Sequence, residues 1–231
     1  MPAKIITVAN QKGGSGKTTV SMQLAGTLAR QKHRVLVVDA DPQATATRWA
    51  ASASDDIPFP TSIFSLSAAN DKVHREVRKF IDDYSVIIID CPPAADSQVP
   101  QSALLVADLV LVPIIPSPLD MWAAVGIKQV IENVSEINDT LKSRLLLNQC
   151  QPRTTLAKEA LEILPVFGIE TAHSKLCHRQ VYRQAAVFGK TVHDFGPKAT
   201  AAITEINALA DEVLKILDCK PVVTQHTVNT V

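Results

Sequence analysis

The chain alternates short apolar runs with longer segments in which apolar residues recur at helical spacing. The runs at residues 4–9 (KIITVA), 35–38 (VLVV), 86–89 (VIII), 109–113 (LVLVP) and 145–147 (LLL) carry almost no polar residue. That is the pattern of central parallel strands buried on both faces. Residues 63–66 and 170–175 predict two less hydrophobic strands. Helical spacing marks residues 18–31, where Val20, Leu24 and Leu28 share a face, and residues 71–82, where Val73, Val77, Phe80 and Ile81 do. It also marks residues 44–51, 101–107, 119–135, 155–164, 179–187 and 199–217. Residues 52–60 read as a Ser/Asp/Pro connection, and residues 220–231 have no period and read as a loose tail. Strands alternating with helices predict an α/β fold: a mostly parallel twisted sheet with helices on both faces, joined by right-handed crossovers. We expect one domain over residues 1–219 and see no internal repeat.

Composition narrows the function classes. With 231 residues, 46% of them hydrophobic, the chain can bury one substantial core. Its 23 basic and 23 acidic residues cancel, so contact with nucleic acid requires a local patch rather than an overall field. The longest nearly apolar run, residues 103–115, is too short to cross a bilayer and contains Asp108. No secretory pattern opens the chain, which predicts a cytoplasmic protein. Cys91, Cys150, Cys177 and Cys219 are scattered with no C-x-x-C pair, against a zinc site, an iron–sulfur cluster or a disulfide framework.

The chemistry concentrates in residues 10–19 (NQKGGSGKTT), between the first strand and the first helix. In the Walker A pattern G-x-x-x-x-G-K-[ST], the place of the first glycine is taken here by Gln11. The glycines are instead Gly13, Gly14 and Gly16, and a second lysine, Lys12, stands at the mouth of the loop. Glycines let the backbone turn so that successive N–H groups face phosphate oxygens, and the following helix adds its positive end. Lys17 would neutralise the β- and γ-phosphates, and the Thr18 hydroxyl would ligate Mg²⁺. Two lysines in so small a loop repel each other unless an anion lies between them.

Ligands of open α/β sheets bind at the carboxyl ends of strands, where this chain places Asp39, Asp41 and Asp90. Asp90 follows the apolar run VIII, the Walker B pattern, and would hold Mg²⁺ through a water. Asp41 would orient the water attacking the γ-phosphate, with Asp39 on the magnesium side. A strand-end Asp also serves as a plain helix cap.

Taken together, KGGSGKTT, DADPQ, IIIDCPP, PIIPSPLDMWAA and LLLNQ resemble the ParA family of deviant Walker A partition ATPases, SIMIBI-type P-loop NTPases. The pattern comes nearest to the short ParF-like branch, and the resemblance runs from about Lys4 to Leu217. It implies that ATP and Mg²⁺ are bound, with Gly13, Gly14, Ser15, Gly16, Lys17, Thr18 and Thr19 on the nucleotide and Asn148 against adenine. It implies a homodimer clamped face to face by ATP, with Lys12 of each subunit reaching the other's phosphates. It puts Asp41 and Gln43 in a first switch region and has Asp90-Cys91-Pro92-Pro93 begin a second. Cys91 stands where the family commonly has Thr or a small residue, a change that adds some expectation of redox sensitivity.

Larger members carry a DNA-reading helix-turn-helix domain before the ATPase. Only about ten residues precede the loop here, so the resemblance implies nonspecific rather than operator DNA binding. Between His173 and Lys198 stand Lys175, Arg179, Arg183, Lys190 and Lys198 against the acid Asp194. Arg179, Arg183 and Lys198 are the expected DNA contacts. The implied function is ATP-driven dimerisation on nucleoid DNA, followed by release on hydrolysis. A ParB- or ParG-like centromere-binding or cargo adaptor protein would stimulate that hydrolysis, so that plasmid or chromosomal DNA is segregated. Positioning of a protein cargo, a carboxysome or chemoreceptor cluster, is an alternative. A MinD-like membrane-surface ATPase needs a basic amphipathic terminal helix, and residues 220–231 hold a single Lys and no aromatic, so no membrane partner is expected. An iron–sulfur carrier would need paired cysteines, and a ligase resembling dethiobiotin synthetase would phosphorylate a substrate without DNA.

Overall fold

The computed structural model describes residues 2–93, 97–151, 164 and 168–219, without the side chains of 118–124. Its centre is a sheet of β1 (Lys4–Val8), β2 (Val35–Asp39), β3 (Ser62–Ser65), β4 (Val86–Asp90), β5 (Leu109–Ile114), β6 (Lys142–Cys150) and β7 (Thr171–Cys177). The order is β3-β2-β4-β1-β5-β6-β7, and every neighbouring pair runs parallel. The helices are α1 (Lys17–Arg30), α2 (Thr45–Ala51), α3 (Val73–Val77), α4 (Val99–Leu104), α5 (Pro118–Ser135), α6 (Gln180–Val187) and α7 (Thr200–Ile216). The helix expected at residues 155–164 and the tail at 220–231 fall outside the described residues, Leu164 excepted.

The apolar runs lack alternation because both sheet faces are covered. Ile5, Leu36, Val38, Ile87, Ile89, Val110 and Leu145 pack into one core with residues of α3, α4 and α5. Their neighbours Ile6, Val8, Val37, Ile88, Leu111 and Leu146 pack into the other with α1, α6 and α7. Each such side chain removed from water contributes about 1.5–3 kcal/mol. β1 lies between β4 and β5, so the chain leaving it enters the crevice where strand order reverses, the usual ligand position in such sheets.

Three elements differ from the periodicity. The single helix expected at 71–82 is broken into a 3₁₀ turn Asn70–Lys72, the short α3 and a 3₁₀ turn Arg78–Phe80. Ser102 of α4 accounts for the first of the two breaks: its hydroxyl donates to the Asp71 carbonyl (2.9 Å) and accepts from the His74 N–H (3.1 Å), taking polar groups a continuous helix would use itself. β6 extends past the apolar LLL at both ends, reaching from Lys142, which pairs with Leu109, to Cys150. A 3₁₀ stretch at Val192–Ala199, unmarked by periodicity, is started by a capping box in which Thr191 and Asp194 bond each other. It docks on α1, where the Val192 N–H donates to Gln23 Oε1 (2.8 Å). Gly26 of α1 makes that approach possible, since a Cβ there would lie 2.3 Å from Thr191 Cγ2.

Candidate nucleotide site

The loop after β1 is anchored before it turns. Asn10 Nδ2 donates to the Pro113 carbonyl at the end of β5 (2.8 Å), and its Oδ1 accepts from the Lys12 N–H (3.1 Å). Gln11 lies against Gly126 of α5, where a Cβ would come within 1.8 Å of Gln11 Oε1. Gly14 (φ 78°) and Gly16 (φ 89°) take left-handed conformations that other residues resist, and Gly16 caps α1. Among the described residues no side chain caps α1, and its own first turn has no acid, so the N–H groups at the start of this 14-residue helix face the loop without a capping side chain from those residues. Ser15 Oγ and Lys17 Nζ both donate to the Lys12 carbonyl, at 3.3 and 3.1 Å. Lys17 is buried, and burial pulls its pKa down against the pull of Asp90, Cys91 and Asp41.

Asp90, fully buried at the end of β4, accepts from Thr18 Oγ1 at 2.7 Å and from Ser21 Oγ at 3.0 Å. Burial pushes its pKa up to about 7, and Asp39, its register partner on β2, pushes the same way. The two hydroxyls and Lys17 oppose the rise. Asp39 is also buried, and both its oxygens are engaged: Oδ2 by the Thr47 N–H and hydroxyl (2.8 Å each), Oδ1 by the Asp41 N–H (3.3 Å). Asp39 therefore ties the first turn of α2 to the sheet, and Asp90 is the carboxylate beside the Thr18 hydroxyl. Asp41, also buried, accepts the Gln43 N–H through Oδ1 (2.8 Å), a tight turn that fixes its carboxyl. Cys91 is fully buried and its thiol is pushed far above the usual range, first by burial and then by Asp90. That removes the expectation of redox sensitivity there, since the thiolate is the reactive form.

A cleft of about 360 Å³ opens beside the loop, bordered by Gly16, Thr19, Asn148, Arg179, Tyr182 and Arg183. Asn148 Nδ2 donates to the Ser15 carbonyl (2.8 Å), and the next residue, Gln149, donates through Nε2 to the Gly14 carbonyl (2.8 Å). Of the expected DNA contacts, Arg179 gives its Nε and Nη2 to Glu205 of α7 at 2.6–3.2 Å. Arg183 is exposed, with Nη2 3.2 Å from His178 Nε2, and Lys198 is exposed in the 3₁₀ stretch. Arg179 and Lys198 border one shallow hollow with His178. Asp194, the acid in this basic stretch, is paired with Arg30. Sequence reasoning missed Ser21, Thr47 and Gln149. Ser21 alone left a signal, lying one turn beyond Thr18 on the same face of α1.

The CobQ/CobB/MinD/ParA nucleotide binding domain matches residues 6–192. The maintenance of carboxysome distribution protein A of Halothiobacillus neapolitanus is 32% identical over 209 residues, 90% of this chain and 95% of that protein. The chromosome-partitioning ATPase Soj of Thermus thermophilus is 29% identical over 240 residues, 90% of this chain and 94% of that one. Among solved structures, a variant of Cyanothece McdA in complex with ATP superposes with a TM-score of 0.77 at 18% identity, covering 96% of this chain and 98% of its own. The cell division ATPase MinD of Pyrococcus furiosus gives 0.72 at 20% identity, covering 93% and 99%. The fold is thus shared with these proteins, and the chain belongs to the CobQ/CobB/MinD/ParA nucleotide-binding family.

Proposed function

We propose that this protein is a nucleotide-switched positioning ATPase: with ATP and Mg²⁺ it forms a dimer that holds nonspecific DNA, and hydrolysis to ADP and phosphate releases it. The observation that carries this reading is the meeting of Thr18 and Asp90 at 2.7 Å beneath a loop that holds two lysines. A hydroxyl and a carboxylate are hard oxygen donors suited to Mg²⁺, and a cation relieves the repulsion between the buried neighbours Asp39 and Asp90. Mg²⁺ supplies charge neutralisation on the β- and γ-phosphate oxygens. Gly13, Gly14, Ser15, Gly16, Thr18 and Thr19 line the phosphate path. Lys17 exchanges the Lys12 carbonyl for phosphate oxygens, and Asp41, steadied by the Gln43 N–H, orients the attacking water. Lys12 reaches the nucleotide of the partner subunit. Asn148 gives one Nδ2 hydrogen to the Ser15 carbonyl and keeps its own carbonyl as an acceptor for the exocyclic amine of adenine.

The DNA face is built from Lys175, Arg183 and Lys198, all exposed, with Arg179 holding α6 to α7 beneath them. An adaptor protein on the cargo stimulates hydrolysis. The relatives' names favour a second cargo beside plasmid or chromosomal DNA, namely a protein assembly of the carboxysome kind. The test is co-sedimentation with DNA, and with liposomes, in ATP and in ADP. DNA pelleting in ATP alone, lost in Lys17→Ala, is expected; pelleting with liposomes and not DNA would overturn the reading. Deletion of the gene in its host then separates plasmid loss from clustering of a protein assembly.

A further inference from the structure

The end of β6 is irregular, and its irregular residues touch the phosphate loop. Gln149 takes a left-handed backbone (φ 53°), which residues with a Cβ seldom adopt, and the β6–β7 register shifts between Leu147 and Cys150. The result is that two successive side chains, Asn148 and Gln149, both reach the loop, where regular strand geometry would send them to opposite faces of the sheet. Their amides donate, at 2.8 Å each, to two successive loop carbonyls, those of Ser15 and Gly14. The fit is close: a Cβ on Gly16 would lie 2.3 Å from Asn148 Nδ2 and 3.5 Å from Gln149 Nε2.

A peptide unit is planar and trans, so fixing its carbonyl also fixes its N–H, pointing the opposite way. The Gly14 carbonyl shares its unit with the Ser15 N–H, and the Ser15 carbonyl shares its unit with the Gly16 N–H. An amide on each carbonyl therefore turns those two N–H groups away from β6. We propose that Gln149 is a positioning residue which, with Asn148, sets the peptide planes of the loop for phosphate before any nucleotide arrives. The left-handed turn at Gln149 is the cost of bringing the second amide to the loop. This inference rests on the reading of the loop as a phosphate site, and it assigns Gln149 a role through the loop carbonyl it holds.

Two substitutions separate the amide from the backbone. Gln149→Gly removes the amide and suits the left-handed turn, and Gln149→Asn tolerates the turn with an amide one methylene too short to reach the Gly14 carbonyl. ATP, ADP and adenosine affinities are measured for the full chain by competition with a fluorescent ATP analogue, alongside melting of the nucleotide-free protein. Both variants are expected to melt no lower than the parent and to bind ATP and ADP about five- to tenfold more weakly, the scale of one lost hydrogen bond, with adenosine binding unchanged. Unchanged ATP affinity in both variants would overturn the inference, as would a loss that falls equally on adenosine or that follows a fall in melting temperature. If the parent protein binds ATP no better than adenosine, the phosphate reading fails and this inference fails with it.

Discussion

Asp90 is the residue whose chemistry is most exposed to experiment. Its folded-state pKa of about 7 stands above the ordinary value of 3.8, chiefly through burial. Below the lower value both folded and unfolded chains carry the proton. Between the two values the folded chain binds more protons, so this group destabilises the fold as pH rises, by at most about 4 kcal/mol once both are ionised. Asp90→Asn removes the charge, keeps an oxygen to accept from one of the two hydroxyls of Thr18 and Ser21, and turns an N–H₂ donor to the oxygen of the other. In magnesium- and nucleotide-free buffer it is expected to melt above the parent near about pH 8, by a margin that narrows near about pH 5 and closes below about pH 4. Melting below the parent at both pH values would contradict this. The loop itself was legible in the sequence because its residues are contiguous and each has a fixed task toward phosphate. Thr47 on Asp39 and Gln149 on Gly14 were not, because nothing in a linear pattern says which distant backbone a side chain will meet.

At the scale of elements, the central strands could be read from their unbroken apolar runs, since a strand covered on both faces has no polar side to show. The segment at 71–82 could not, because its first break involves Ser102, a residue from another helix. The packing of α1 on the 3₁₀ stretch gives a sharper test. Alanine at Gly26 would gain about 1 kcal/mol of helix propensity. The 2.3 Å approach of its Cβ to Thr191 Cγ2 costs more, about 1–3 kcal/mol for overpacking a buried contact. Gly26→Ala is thus expected to lower the melting temperature, and the double variant with Thr191→Ser, which removes that methyl and keeps the capping hydroxyl, to recover it. On the neighbouring face, Arg179→Ala should lower stability by breaking its pair with Glu205. Lys198→Ala and Arg183→Ala should leave melting unchanged and weaken DNA binding, each lowering the salt slope by about 1. Titrations of DNA binding against salt, set beside thermal melts, distinguish these roles.

In the whole molecule, the proposed nucleotide site would act as a switch between two assembly states. All the groups that would grip phosphate and Mg²⁺ are already gathered at the carboxyl ends of β1, β2 and β4, within one chain. Lys12 is the group with a task beyond it. Light scattering coupled to size exclusion measures this most directly, with Mg²⁺ and either ATP or ADP, for the parent protein and for Lys12→Ala. A mass near twice the 24.9 kDa of one chain is expected in ATP and a single-chain mass in ADP, with Lys12→Ala monomeric in both. The same mass in ATP and ADP, or a Lys12→Ala protein that dimerises and hydrolyses ATP like the parent, would contradict it.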